Sequence, residues 1–453
     1  VYSIPDFFRL EDKARFLRDS KTYKNVQFTR CDADENGSWL TEGLQPEFSS
    51  FVPLGRRKKG STEGLSIFGT YTNGVKTNRD GWMYGESRKS LQGKVELSIR
   101  TFNAHVRRWR LESARGKEIE EVFDYDSRKI SWSRDLKNAV AKLREIEFRD
   151  SAIRPAMYRP FCRRLLYFDA ILNEEIYSLK SVFPAGVEDE NVAICCSAVA
   201  NNKPFHCLAV NITPDVHLTG DSQCFPFYIF NENGKRQENI SDAILHKFQA
   251  HYQDTAITKW DIFHFAYAVL HHPFYRERYA VNLKRELPRI PLAPRFYDFA
   301  SAGKKLKDLH INYEHLKKFP LKRIERKTAK FDLSIERMRL DSDGSTLIYN
   351  KFLSLSGVPQ DAFNYKLGTT SALEWVIEQF QFSRDPRSEI IRNPNEGGEP
   401  GYLIGLIEKV ITLSIETNAL VSALPDLGIK EQRKAVAAAS GDKAALRTTR
   451  RIN

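Results

Sequence analysis

The run from Arg154 to Asp169, RPAMYRPFCRRLLYFD, sets Arg154, Arg159, Arg163 and Arg164 among Tyr158, Phe161, Tyr167 and Phe168. Guanidinium groups grip phosphates, and aromatic rings stack on bases or wedge between them, so the mixture suits a nucleic-acid surface. The competing reading is a strand with a solvated basic start. Lys76, Asn78 and Arg79 form a second polar group just past the Asn73-Gly74 turn, on a loop expected to be exposed. A third, Asn202 and Lys203 with His217, falls in polar turns between β-rich runs.

Catalytic constellations are missing. No G-x-x-x-x-G-K-[ST] phosphate loop and no G-x-G-x-x-G occurs. Asn393-Pro394-Asn395 lacks the second proline and the aromatic of an amino-methyltransferase tetrad. Asp6, Glu11 and Lys13 mimic nuclease letters at too short a spacing. His206, Cys207 and His217 lack a second spaced pair to complete a zinc site, and no G-x-S-x-G elbow supports a serine nucleophile. His264 reads as packed core, and His271-His272 as a helix end. The chain is expected to bind rather than catalyse.

Charge points the same way. The net charge is +12, and it is clustered. Leu54–Arg110 holds 13 Lys/Arg against 4 Asp/Glu, and Gly303–Leu340 holds 12 against 5. Such clustering is the footprint of a polyanion, against the blander reading of a solvated basic face. Lys304, Lys305, Lys307, Lys317 and Lys318 could track a backbone or simply coat a helix. Six cysteines with no C-x-x-C pair argue against a disulfide framework and suit a reducing cytoplasm. No apolar run reaches the length of a membrane span. A chain opening on Val1 reads as a piece of a longer or processed protein.

The elements that would position these residues follow from periodicity and turn chemistry. Helices are predicted over Pro5–Ser20, Leu91–Arg115 and Trp132–Glu147, and β-type residues over Leu65–Tyr71. Asn36-Gly37 marks a turn, and Arg56–Gly60 a mobile basic loop. Strands are predicted at Leu165–Asp169, Val192–Val199, Phe205–Ile212 and Cys224–Phe230. Helices return at Ser241 and at Lys259–His271, the latter opened by the capping box Thr258/Asp261 and stopped by Pro273. Leu283–Pro294 is expected to be extended and Thr346–Leu355 strand-like. Ser371/Glu374 caps a helix through Phe382, Tyr402–Leu424 is expected to be the longest amphipathic helix, and the tail beyond Lys430 to be frayed. The sum is an α+β fold: a helical N-terminal linker or spacer, a central mixed or antiparallel sheet and a helical C-terminal part.

Several runs, in order, resemble a known family: GVKTNRDGW (Gly74–Trp82), YRPFCRRLLYFD (Tyr158–Asp169), LPRIPL (Leu287–Leu292), FASAGKKLKDLHINYE (Phe299–Glu314), ALEWVIEQFQFSRDPRSEIIRNPN (Ala372–Asn395) and SIET (Ser414–Thr417). Together, from about Ile4 to Pro425, they resemble the C-terminal part of single-chain type ISP restriction–modification enzymes and related adenine methyltransferase–nuclease fusions. The resemblance implies a methyltransferase trailing segment and helical spacer over 1–150, a target recognition domain over 151–430 and a basic flexible tail over 431–453. It implies double-stranded DNA as partner, together with the methyltransferase, helicase and nuclease domains of the same polypeptide. It implies no cofactor in this part, with S-adenosylmethionine, Mg²⁺ and ATP used by the parent enzyme. Lys76, Arg79, Arg159, Arg163 and Arg164 would contact phosphates, one arginine pairing with guanine, with Asn78 and Tyr158 beside them. Asn202, Lys203 and His217 are candidates for base edges. Arg159 or Arg163 may be used differently, in an ion pair with Asp169 or another carboxylate. Two other classes stay open: an autonomous S-adenosylmethionine-dependent methyltransferase or nuclease, and a general nucleic-acid or protein scaffold.

Overall fold

Ala193–Cys196 (AICC) is an apolar run buried at every position, and its alternation shows why. Successive side chains of a strand point to opposite faces. Ala193 and Cys195 enter one hydrophobic core, whereas Ile194 and Cys196 enter another. The strand therefore lies in a sheet covered on both sides, and its thiols are free and buried.

The computed structural model describes residues 2–3, 10–30, 43–56, 65–186 and 190–429. The Asn36-Gly37 turn, Arg57–Gly60 and the tail from Lys430 lie outside these. The chain divides into two units, Val1–Pro46 and Glu47–Asn453. In the first, Tyr2–Ser3 pairs antiparallel with Thr29–Arg30, and a helix spans Leu10–Ser20.

The second unit carries the α+β architecture. Its doubly covered sheet runs Thr72–Asn73, Gln223–Pro226, Ala193–Cys196, Cys207–Val210, all antiparallel. A mixed sheet runs Thr213–Pro214, Ile153–Arg159, Cys162–Tyr167, Tyr84–Gly85, with only the first pair parallel. A third, antiparallel sheet runs Lys322–Glu325, Leu353–Ser356, Thr346–Ile348, Arg339–Leu340. Tyr84–Gly85 pairs with Cys162–Tyr167, so this sheet draws strands from both sides of residue 150.

Helices cover both cores. Arg88–Ser113, rather than Tyr402–Ser422, is the longest helix described. Thr258/Asp261 and Ser371/Glu374 both form reciprocal capping boxes, opening Lys259–His271 and Ala372–Gln379. Lys259–His271 is buried all round from Ile262 to His271, as a helix enclosed by other elements must be. Phe296–Ile311 crosses it so closely that Gly303 lies against the His264 carbonyl. Pro273 does not merely stop a helix: it occupies the first turn of the next, Pro273–Arg278. Leu283–Pro294, expected to be extended, begins inside the helix Ala280–Arg285, and only Arg289–Ile290 forms strand. Leu65–Tyr71 yields just a bridge, Phe68 to Ile240. Among the described residues no helix is long and apolar enough to cross a membrane.

Candidate nucleic-acid interface

Arg154–Asp169 is a β-hairpin, Ile153–Arg159 against Cys162–Tyr167. Pro160 and Phe161 make its turn, with Phe161 at φ +57°. That conformation is costly for a bulky L-residue. Phe161 is held there by burial against Tyr313, at a ring distance of 5.2 Å. The register slips between Met157 and Arg159, a bulge that re-aims Tyr158 and Arg159.

The hairpin's arginines turn to carboxylates within the fold. Arg159 reaches Asp215 at 2.7 Å and Asp80 at 3.5 Å. Arg163 reaches Glu314 at 3.1 Å, and Arg164 reaches Glu86 at 3.0 Å. Asp169 pairs instead with Arg149, at 2.8 Å. Tyr158 is buried, with the Arg159 and Arg164 guanidiniums over its ring at 3.9 and 4.3 Å, and donates to Asp80 at 3.1 Å. The physical reason is desolvation: a guanidinium drawn out of water against a packed sheet must find an anion. These side chains stiffen the wall rather than project from it.

Arg79 was expected on an exposed loop and is only 4% exposed. Its guanidinium donates to the Leu172 carbonyl, to Ser131 O at 3.0 Å and to Glu174 at 3.4 Å. Asn78 is exposed at φ +55°, and Lys76 is half-buried. Asn202, Lys203 and His217 are exposed, with Lys203 Nζ 5.7 Å from the Trp375 ring. Lys304, Lys305, Lys317 and Lys318 are exposed, while Lys307 pairs with Asp308 at 2.9 Å.

A cleft of about 540 Å³ brings part of this set together with residues the sequence did not single out. One wall holds Arg79, Lys94 and Arg164 with Asp80 and Glu86; the other holds Arg384, Arg387 and Arg392 with Asp385. Burial pushes the Lys94 ammonium down to about 8, although it donates to the Gly81 and Tyr84 carbonyls at 2.8 and 2.6 Å. Burial likewise raises the Glu86 carboxyl, against the pull of Arg164.

The second wall is a hairpin, Ser383–Arg384 against Ile391–Arg392. Amide side chains fix both of its legs. Gln381 accepts from Met338 N at 2.9 Å and donates to Met338 O at 3.0 Å. Asn395 does the same to Ile335, at 2.8 and 3.0 Å. A Cβ added at Gly397 would stand 2.5 Å from the Glu86 carbonyl oxygen, so only glycine lets this leg lie against the opposite wall. The available signal in the sequence was Asp385-Pro386, a turn initiator.

Among the described residues no group of three or more His, Cys, Asp or Glu could hold a metal ion. Nucleotide cofactors sit at the carboxyl ends of parallel strands. Here the parallel pairing of strands is the two-residue match of Thr213–Pro214 with Ala156–Met157.

No curated protein sequence matches the chain significantly. Solved structures do. A nuclease-deletion mutant of the Type ISP restriction-modification enzyme LlaGI, in complex with a DNA substrate mimic, aligns at 30% identity and TM-score 0.81, over 92% of this chain and 38% of that one. The DrdV–DNA complex aligns at 32% and 0.82, over 94% and 43%. The ATP-dependent Type ISP enzyme LlaBIII bound to DNA aligns at 26% and 0.79, over 91% and 26%. The chain thus spans well under half the length of these relatives. The family model of the Type ISP C-terminal specificity domain matches residues 66–406, and the chain belongs to that family.

Proposed function

We propose that the chain is the double-stranded DNA recognition part of a Type ISP restriction–modification enzyme. The observation that carries this reading is the alignment of more than nine-tenths of the chain with three DNA-bound enzymes. The two-walled cationic cleft supports it. The reading gives chemistry to the rest of the polypeptide: S-adenosylmethionine, Mg²⁺ and ATP belong to other domains of a cytoplasmic parent enzyme. Residues 1–150 are its methyltransferase's trailing segment and a helical spacer, and 151–430 the target recognition domain.

Within this reading the half-buried Lys76 and the exposed Asn78, Asn202, Lys203 and His217 contact DNA directly. Arg79, Tyr158, Arg159, Arg163 and Arg164 hold the surface in shape. The test is selection from a random pool of duplexes at two salt concentrations. An enriched motif that survives higher salt supports recognition, whereas binding without enrichment that collapses as salt rises sinks it. Lys203→Ala is expected to weaken the matched duplex by about 1–3 kcal/mol and relax specificity at one position, with a scrambled duplex little changed, as loss of a base contact does.

A further inference from the structure

We propose that the hairpin Ser383–Arg392 is a base-reading element that enters a DNA groove, with Arg387 discriminating a G·C pair. The inference rests on the DNA-recognition reading and deepens it by naming the element.

The hairpin is built rigid and left exposed. Asp385 accepts from the backbone N–H groups of Arg387 at 3.0 Å and Ser388 at 2.7 Å, and from the Ser388 hydroxyl at 2.8 Å. Asp385 N donates to Ile390 O and Glu389 N to Asp385 O, both at 2.9 Å. Pro386 fixes the remaining backbone torsion on the way in, and Glu389 holds φ +58°. Ile390 seals the inner edge against Gly81, where an added Cβ would lie 3.4 Å from its Cδ1. The turn therefore has one conformation before any ligand arrives, which lowers the entropic cost of binding.

Its outward groups are those a groove reader needs. Arg387 is exposed at the turn, with no ion pair among the described residues. Arg384 is held beside it by Glu389 at 3.0 Å, and Ile391 is 50% exposed next to them. Clefts of about 540 and 670 Å³ flank the hairpin, and Ser388 and Ile390 line both. A two-stranded β-ribbon fits the major groove, where arginine pairs with both guanine acceptors. The contrast with the hairpin Ile153–Tyr167 is chemical: Arg159, Arg163 and Arg164 there are each paired with a carboxylate.

The test is duplex selection with the full chain, unaltered and as Arg387→Ala and Arg387→Lys. The unaltered chain should enrich a motif containing a G·C pair. Arg387→Ala should lose preference at that pair alone, binding the best duplex roughly ten- to a hundredfold more weakly, with a scrambled duplex changed less than threefold. Arg387→Lys should likewise leave scrambled-duplex affinity within threefold of the unaltered chain while losing most of the guanine preference. An unchanged motif and affinity in Arg387→Ala overturns the proposal. So does an equal loss on matched and scrambled duplexes, which would make Arg387 a phosphate contact. If the unaltered chain enriches nothing, the recognition reading itself fails and this proposal with it, an outcome visible before any substitution.

Discussion

Asp215→Ala is expected to cost roughly 3–5 kcal/mol at neutral pH, the usual loss when one side of a buried charge pair is removed. Asp215 is 1% exposed and accepts from three donors: Arg159 at 2.7 Å, the Tyr84 hydroxyl at 2.8 Å and His217 N at 2.8 Å. Alanine strands all three. Asp215→Asn should cost far less, since its carbonyl oxygen serves Arg159 and the Tyr84 hydroxyl can accept from its amide.

The same pair of variants isolates a pH effect. Burial, opposed by Arg159 and helped by Asp80, raises the Asp215 carboxyl from 3.8 to about 6. A carboxyl that holds its proton more tightly when folded stabilises fully below about pH 4, and that contribution is lost as pH rises through 6. Two units correspond to an effect on the order of 3 kcal/mol. Urea denaturation at steps from pH 4 to 7 should show the native chain losing stability relative to Asp215→Asn. Parallel curves for the two would remove Asp215 as a source of pH dependence.

Gly303→Ala is the second large expected loss, about 3 kcal/mol, at the top of the usual range for overpacking. A Cβ at Gly303 would lie 1.8 Å from the His264 carbonyl oxygen, 2.6 Å from its carbon and 3.2 Å from Ala268 N. All three are backbone atoms in a buried helix, so nothing flexible can yield. The helices must part, and Phe299 and Leu306 on the same face lose packing with them. Gly93 is the control. It is exposed within Arg88–Ser113 with nothing inside 4 Å, so Gly93→Ala should stabilise by about 0.5–1 kcal/mol. A fall in the urea midpoint at constant slope for Gly303→Ala, and a rise for Gly93→Ala, is the expected pattern. A Gly303→Ala chain as stable as the original would refute the close crossing.

What could be read from the sequence was local. Thr258/Asp261 and Ser371/Glu374 announce their helices because a capping box is complete within four residues. Ala193–Cys196 and Cys207–Val210 announce themselves because burial on both faces demands unbroken apolar runs. The Arg154–Asp169 hairpin was legible as basic and β-rich, but its charges were not. Arg159 meets Asp215 56 residues away in the chain, and no spacing rule reaches that far. Ser383–Arg392 was overlooked for the converse reason. Its strands are two residues each, its residues are polar, and its stability comes from Gln381 and Asn395 reaching Met338 and Ile335. The family resemblance quoted this run without indicating that it projects.

Those two amide clamps have an evolutionary consequence. Gln381 and Asn395 fasten the hairpin's legs to main-chain N–H and C=O groups, which every residue type but proline supplies. The mounting is therefore indifferent to what the intervening tip contains. Mutation can rewrite the exposed Arg384, Arg387 and Ile391 while Asp385 keeps the turn and Ile390 its packing, much as a type slug is exchanged in a press. Under the DNA-recognition reading proposed above, a new target then costs a few codons rather than a new fold.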